Sequence, residues 1–161
     1  MATLSLSKTD TDNTYTRIRN LLLEARKSAV RSVNTIMVQT YWEIGRTIVE
    51  EEQKGQKRAK YGKYLIKNIS EKLQKEFDKG FDERNLFHMK QFYLTFPKVN
   101  ALRSELTWTH YRLLLRIENE NARNFYIHET IESNWSTRSL ARQIHSFYYE
   151  RLLASRNKAS V

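Results

Sequence analysis

The sequence contains no cysteine, a single proline and only four glycines. Without cysteine there are no disulfides, no thiolate metal sites and no cysteine nucleophile, and a reducing compartment, the cytoplasm, is the simplest setting. So few glycines and prolines supply too few turns for a β-sandwich or a glycine-looped α/β enzyme, and they favour long helices. No apolar run approaches the roughly 20 residues of a membrane span, so no membrane contact is expected. The opening segment, MATLSLSKTDTDNTY, has neither the basic n-region nor the apolar h-region of a signal peptide.

What is present is charge and aromatic bulk. The 161 residues fit one domain, and 40% hydrophobic with 12% aromatic content is enough to pack a core. Lys and Arg number 28 against 18 Asp and Glu, a formal net charge of +10. Residues 54–79 hold nine basic side chains against three acidic ones, so this stretch alone supplies +6. Beyond Lys98 the basic residues are almost all Arg. Lysine suits point-charge contact with phosphate, while arginine also suits paired and stacking contacts.

Helical periodicity organises the chain. Residues 1–13 are polar and read as a disordered tail, residues 14–155 as one helical domain, and 156–161 as a tail or the point before a further domain. From Tyr15 through Ile18, Leu22, Ala25, Ala29, Val33 and Ile36 to Ile44 and Ile48, apolar residues recur every three or four positions. The spacing predicts one long helix, or two joined near Ser28–Asn34. An unbroken 15–53 helix would be about 58 Å long, more than a small domain spans, so it either breaks or packs partly on a second chain. A second helix follows with Tyr61, Leu65, Ile69, Leu73 and Phe77 in an i+4 stripe, closed by Lys79 and by Gly80 as a left-handed cap. Asp82 then caps a third helix, with Phe81 stapled onto Leu86, and Pro97 ends it. The same start signal recurs at Leu106-Thr107 and Trp135-Ser136, predicting helices near 108–117, 119–133 and 137–154. The fold class is all-α.

Two amphipathic helices around a short glycine-containing turn, over 61–96, have the outline of a helix-turn-helix. The second helix of that motif presents its N-terminal residues to base edges in the major groove. Its polar positions here are Glu83, Arg84, Asn85, His88, Lys90 and Gln91; arginine suits guanine, and asparagine or glutamine suits adenine. Lys57, Arg58, Lys60 and Lys63 precede them and suit phosphates. The same outline also describes a plain structural hairpin. Tyr61, Tyr64, Trp108 and Tyr111 lie near basic residues where exposed rings stack on bases, although aromatics at helical spacing are more often core.

No complete active site appears. His88, His110, His128 and His145 are far apart and form neither HExxH nor HxxxH, so no metal site is expected. Glu52-Gln53-Lys54 has the E-x-K spacing of some nuclease metal sites, but it ends a helix where those sites need a strand. There is no P-loop, no GxGxxG and no glycine-framed serine. No cofactor is expected, and no catalytic residue is assigned.

Five ordered segments together resemble a known family: YWEIGRTIVEEEQKG (41–55), RAKYGKYLIKNIS (58–70), KGFDERNLFHMKQFYLTFP (79–97), LTWTHYRLLLRI (106–117) and NWSTRSLARQIHSFYYERL (134–152). They are similar to the N-terminal domain of YhcG-like proteins over roughly residues 15–155. The resemblance implies a helical, helix-turn-helix-like region presumed to bind DNA. Family members commonly continue into a PD-(D/E)XK nuclease domain, whose residues have no counterparts before Val161. The expected function is therefore a DNA-targeting module, non-catalytic by itself, with DNA as partner. The alternative is an oligomerisation or partner-docking module without DNA contact, such as a homodimer through the 15–53 helix.

Overall fold

Seven α-helices, two short 3-10 turns and no strand make up the described residues of the computed structural model, which are 8–55, 61–77 and 79–159. The all-α expectation holds. The helices are α1 (Lys8–Lys54), α2 (Tyr61–Phe77), α3 (Glu83–Thr95), α4 (Trp108–Leu114), α5 (Glu120–Glu132), α6 (Thr137–His145) and α7 (Tyr148–Ala159).

α1 runs unbroken for 47 residues, about 70 Å, with no joint at Ser28–Asn34. It begins ahead of Tyr15, so residues 8–13, read from sequence as tail, are helical. Its C-terminal part is the spine of the fold. Val38, Trp42, Ile48 and Val49 are buried, and Gly45 lies where α3 crosses. A Cβ on Gly45 would sit 2.0 Å from the Met89 carbonyl oxygen, so only glycine lets the two backbones approach this closely.

Two apolar clusters lie along this spine. The larger joins Val38 and Trp42 to Phe92, Phe96, Leu106, Tyr111, Leu114, Tyr126 and Leu140, drawing on α1, α3, α4, α5 and α6. The smaller joins Ile48, Ile66, Leu86 and Met89 and fastens α2 and α3 onto the end of α1. Leu86, Met89 and Phe92 are wholly covered, which contributes about 1.5–3 kcal/mol each. The Trp42 indole nitrogen donates to the Phe96 carbonyl at 2.6 Å, satisfying the one polar atom of a buried ring.

Helix starts follow their caps. Asp82 accepts from the Asn85 amide at 2.7 Å, and Phe81 packs in the same cluster as Leu86. Thr107 and His110 form a reciprocal capping box, and Ser136 accepts from the Ser139 amide. Asn119 caps α5 through the Ala122 amide. Each side chain satisfies a donor that a helix N-terminus leaves free.

Two chain reversals differ from the sequence expectation. Gly80 does not adopt a left-handed conformation; none of the four glycines does. The chain instead makes a 3-10 turn, Lys79–Phe81, held by the Ser70 hydroxyl donating to the Phe81 carbonyl at 2.8 Å. The segment expected as one helix over 137–154 divides into α6 and α7 at Phe147, whose φ is 54°. The break lets Tyr148 and Tyr149 turn back onto Phe125, with ring centroids 5.7 and 5.1 Å away. At the end of α5, Asn134 takes the left-handed position, and the Trp135 amide reaches back to the Thr130 carbonyl at 2.9 Å.

Candidate nucleic-acid interface

α3 has a buried edge, Leu86, Met89 and Phe92, and an outward face bearing Arg84 and the half-exposed Phe87 and Leu94. The helical period sets Arg84, His88 and Gln91 along one margin of that face, at i, i+4 and i+7. Lys90 lies on the other margin, toward α1 and α2.

On the α2 side, Lys63, Glu83, Arg84, Phe87 and Lys90 line an open cleft of about 560 Å³ with Glu52, Gly62 and Ile66. Lys90 is not free there: its ammonium pairs with Glu52 at 2.7 Å, with both side chains largely covered. This pair ties α3 to the end of α1, and it explains Glu52 without any metal chemistry. Lys63 is exposed at the rim. Lys57, Arg58 and Lys60 fall outside the described residues.

Asn85 is committed to the fold. Its amide nitrogen donates to the Gly80 carbonyl, and its amide oxygen accepts from the Trp108 indole at 3.3 Å. The side chain therefore braces the turn before α3 and the start of α4, and points away from the outward face.

On the α4 side, α3 and α4 build a basic cluster. His88 is partly buried, and its pKa is held below the ordinary 6.5, first by burial and then by Arg112, Arg84 and Arg116; Asp82 opposes them weakly. Arg112 and Arg116 stand one turn apart at α4 and its C-terminal turn. Among the described residues no carboxylate pairs with Arg84, Arg112 or Arg116. Three guanidiniums thus lie near enough to act on one partly buried imidazole, and their positive charge suits an anion with several oxygens. Sequence reasoning named Arg84 and His88 but not Arg112 and Arg116 as contacts. Their i, i+4 spacing on the polar side of a helix opened by a clear cap was the available signal.

The candidate stacking rings divide. Tyr111 is buried, its hydroxyl accepting from the Arg103 amide at 2.7 Å, and burial pushes its pKa up to about 12. Trp108 packs against Tyr41 and Phe92. Tyr61 is half-buried and donates to Glu51 at 3.3 Å, whereas Tyr64 is exposed. His110 is buried between Thr107 and the Trp135 carbonyl, so it is a structural histidine. Among the described residues no three His, Asp or Glu side chains gather as a metal site, and no helix is long and apolar enough to cross a membrane.

The fold and site define an all-α domain that carries a basic helical hairpin on a long spine. Residues 17–151 match the model of the family described as the DUF1016 N-terminal domain, and the chain belongs to that family. It is similar to the protein named "Putative nuclease YhcG" from Escherichia coli (strain K12), with 39% identity over 176 residues. That alignment covers 89% of this chain and 47% of the relative, so the chain spans about half the length of the curated protein it matches. The resemblance to YhcG-like N-terminal domains is thereby borne out. No solved structure matches the chain.

Proposed function

We infer that this chain is the DNA-targeting module of a YhcG-like nuclease and that it works by presenting α3 and α4 to duplex DNA. The observation that carries this reading is the cluster of Arg84, Arg112 and Arg116 around His88, unpaired with any carboxylate of the described residues. A surface cluster of arginines that forms no ion pair suits phosphate oxygens. Lys63, exposed at the rim of the cleft that Arg84 also lines, extends the positive surface; Lys57, Arg58 and Lys60 precede it in the sequence. Arg84, His88 and Gln91 share the margin nearest a groove, and Asn85 supports them from within. No cleavage step is assigned to residues of this chain.

Fluorescence anisotropy with labelled duplex DNA at low salt tests the reading. Binding with a Kd in the usual non-specific range of about 10⁻⁴ to 10⁻⁶ M is expected. No binding up to about 100 μM would refute it.

A further inference from the structure

Every described side chain of α1 from Thr11 to Val33 is exposed. Lys27, Val30 and Arg31 border an open cleft against Ser104, Glu105 and Trp135, and among the described residues no pocket brings the helix ahead of Lys27 to the body. These 23 residues span about 35 Å. A polar helix in that position would need no explanation, but this one is not polar. Tyr15 is 63% exposed, Leu21 71%, Leu22 56% and Val30 61%. An isolated helix is marginal in water, and a contiguous apolar surface of this extent is rarely left bare.

The pattern has the period of a helix-pairing seam. Tyr15, Ile18 and Leu22 begin a 3-4 repeat, Ala25, Ala29 and Ser32 continue it, and Ile36 completes three heptads. At 100° per residue, this stripe lies on the side of α1 opposite Val38, Gly45 and Val49, which face the body. Two copies meeting along it would carry their bodies on the outside without collision. The small residues in the middle permit a close approach.

We propose that the projecting half of α1 is covered by the same segment of a second copy, as a parallel helix pair. Orientation follows from charge. Arg19 and Arg26 flank the seam on one side, opposite the side carrying Thr14, Leu21 and Ser28. A parallel pair sets the arginines against the neutral side of the partner copy, whereas an antiparallel pair opposes arginine to arginine. The area is also sufficient. The exposed seam side chains Tyr15, Ile18, Leu22 and Ile36 offer on the order of 300–600 Å² of apolar surface per copy. A stable interface takes about 800 Å² per partner, somewhat more than half of it apolar. The proposal rests on α1 alone and holds whether or not α3 contacts DNA.

Light scattering coupled to size exclusion tests it on the whole chain, with twice the 19.3 kDa chain mass expected. Leu22→Glu places a carboxylate in the seam and is expected to give single-chain mass, with the near-UV signal of the tryptophans unchanged. Because the protein has no cysteine, Ala25→Cys supplies its only thiol. Mild oxidation should link this variant to itself, since equivalent positions oppose each other, while Glu24→Cys on the outer face should remain unlinked. A single-chain mass for the parent would overturn the proposal and leave the helix for another protein, or for further sequence of a longer chain. A Leu22→Glu protein that stays paired would overturn the seam, and failure of Ala25→Cys to link would overturn the parallel alignment.

Discussion

Gly45 and His110 show how single residues fix this fold. At Gly45 the α1 and α3 backbones meet, and any side chain would displace the Met89 carbonyl. Gly45→Ala is therefore expected to cost about 1–3 kcal/mol or more, read from urea denaturation, although alanine is the better helix former. A mutant as stable as the parent would mean that the helices can separate freely. His110 has the opposite character, a polar group buried and fully satisfied. The Thr107 amide donates to its Nδ1, and its Nε2 donates to the Trp135 carbonyl, which fixes a neutral ring. Burial lowers its pKa from the ordinary 6.5, and the hydrogen bond to Trp135 opposes this only in part. The unfolded chain then binds more protons than the folded one as pH falls below 6.5, so stability is full above that value and declines beneath it. His88 is shifted the same way and adds to the effect. Urea midpoints should drop between pH 7.5 and pH 5.5, and His110→Gln should flatten that dependence even while lowering stability overall.

At the scale of helices, the cap chemistry was legible and the terminations were less so. Asp82, Thr107 and Ser136 each cap the helix that sequence spacing assigned to them, because a cap depends on three or four neighbouring residues. Terminations depend on what the next segment must reach. Phe147 is the plainest case: nothing in SFYYER signals a break, yet the chain turns there so that Tyr148 and Tyr149 cover Phe125. Gly80 is the converse, a glycine where the turn needs no left-handed residue. Phe147 pays for its position with a φ of 54°, while its ring is 64% exposed and little packing depends on it. Phe147→Gly should therefore raise stability by roughly 0.5–1 kcal/mol, measurable as a higher melting temperature. A lower one would show that the ring packs in solution.

For the molecule as a whole, the long helix and the hairpin could be read from periodicity, while the grouping of side chains at the candidate site could not. Asn85 looks like a base reader on a helical wheel, but Trp108, distant in sequence, takes its amide oxygen. Arg112 and Arg116 join Arg84 only because α3 and α4 pack side by side through Phe92, Trp108 and Tyr111. Local pattern places residues on a face; long-range packing decides which faces share an edge. The charge of the chain, +10, was visible at once, and its concentration around His88 was not. The most direct measurement of the central claim is duplex DNA affinity over a series of salt concentrations, for the parent and for an Arg84→Ala/Arg112→Ala double variant. If both guanidiniums contact phosphates, log K against log[salt] should flatten by about 0.9 per lost contact, about 1.8 in all, with the melting temperature nearly unchanged. A double variant that keeps the parent's affinity and slope would contradict DNA binding through this edge of the hairpin.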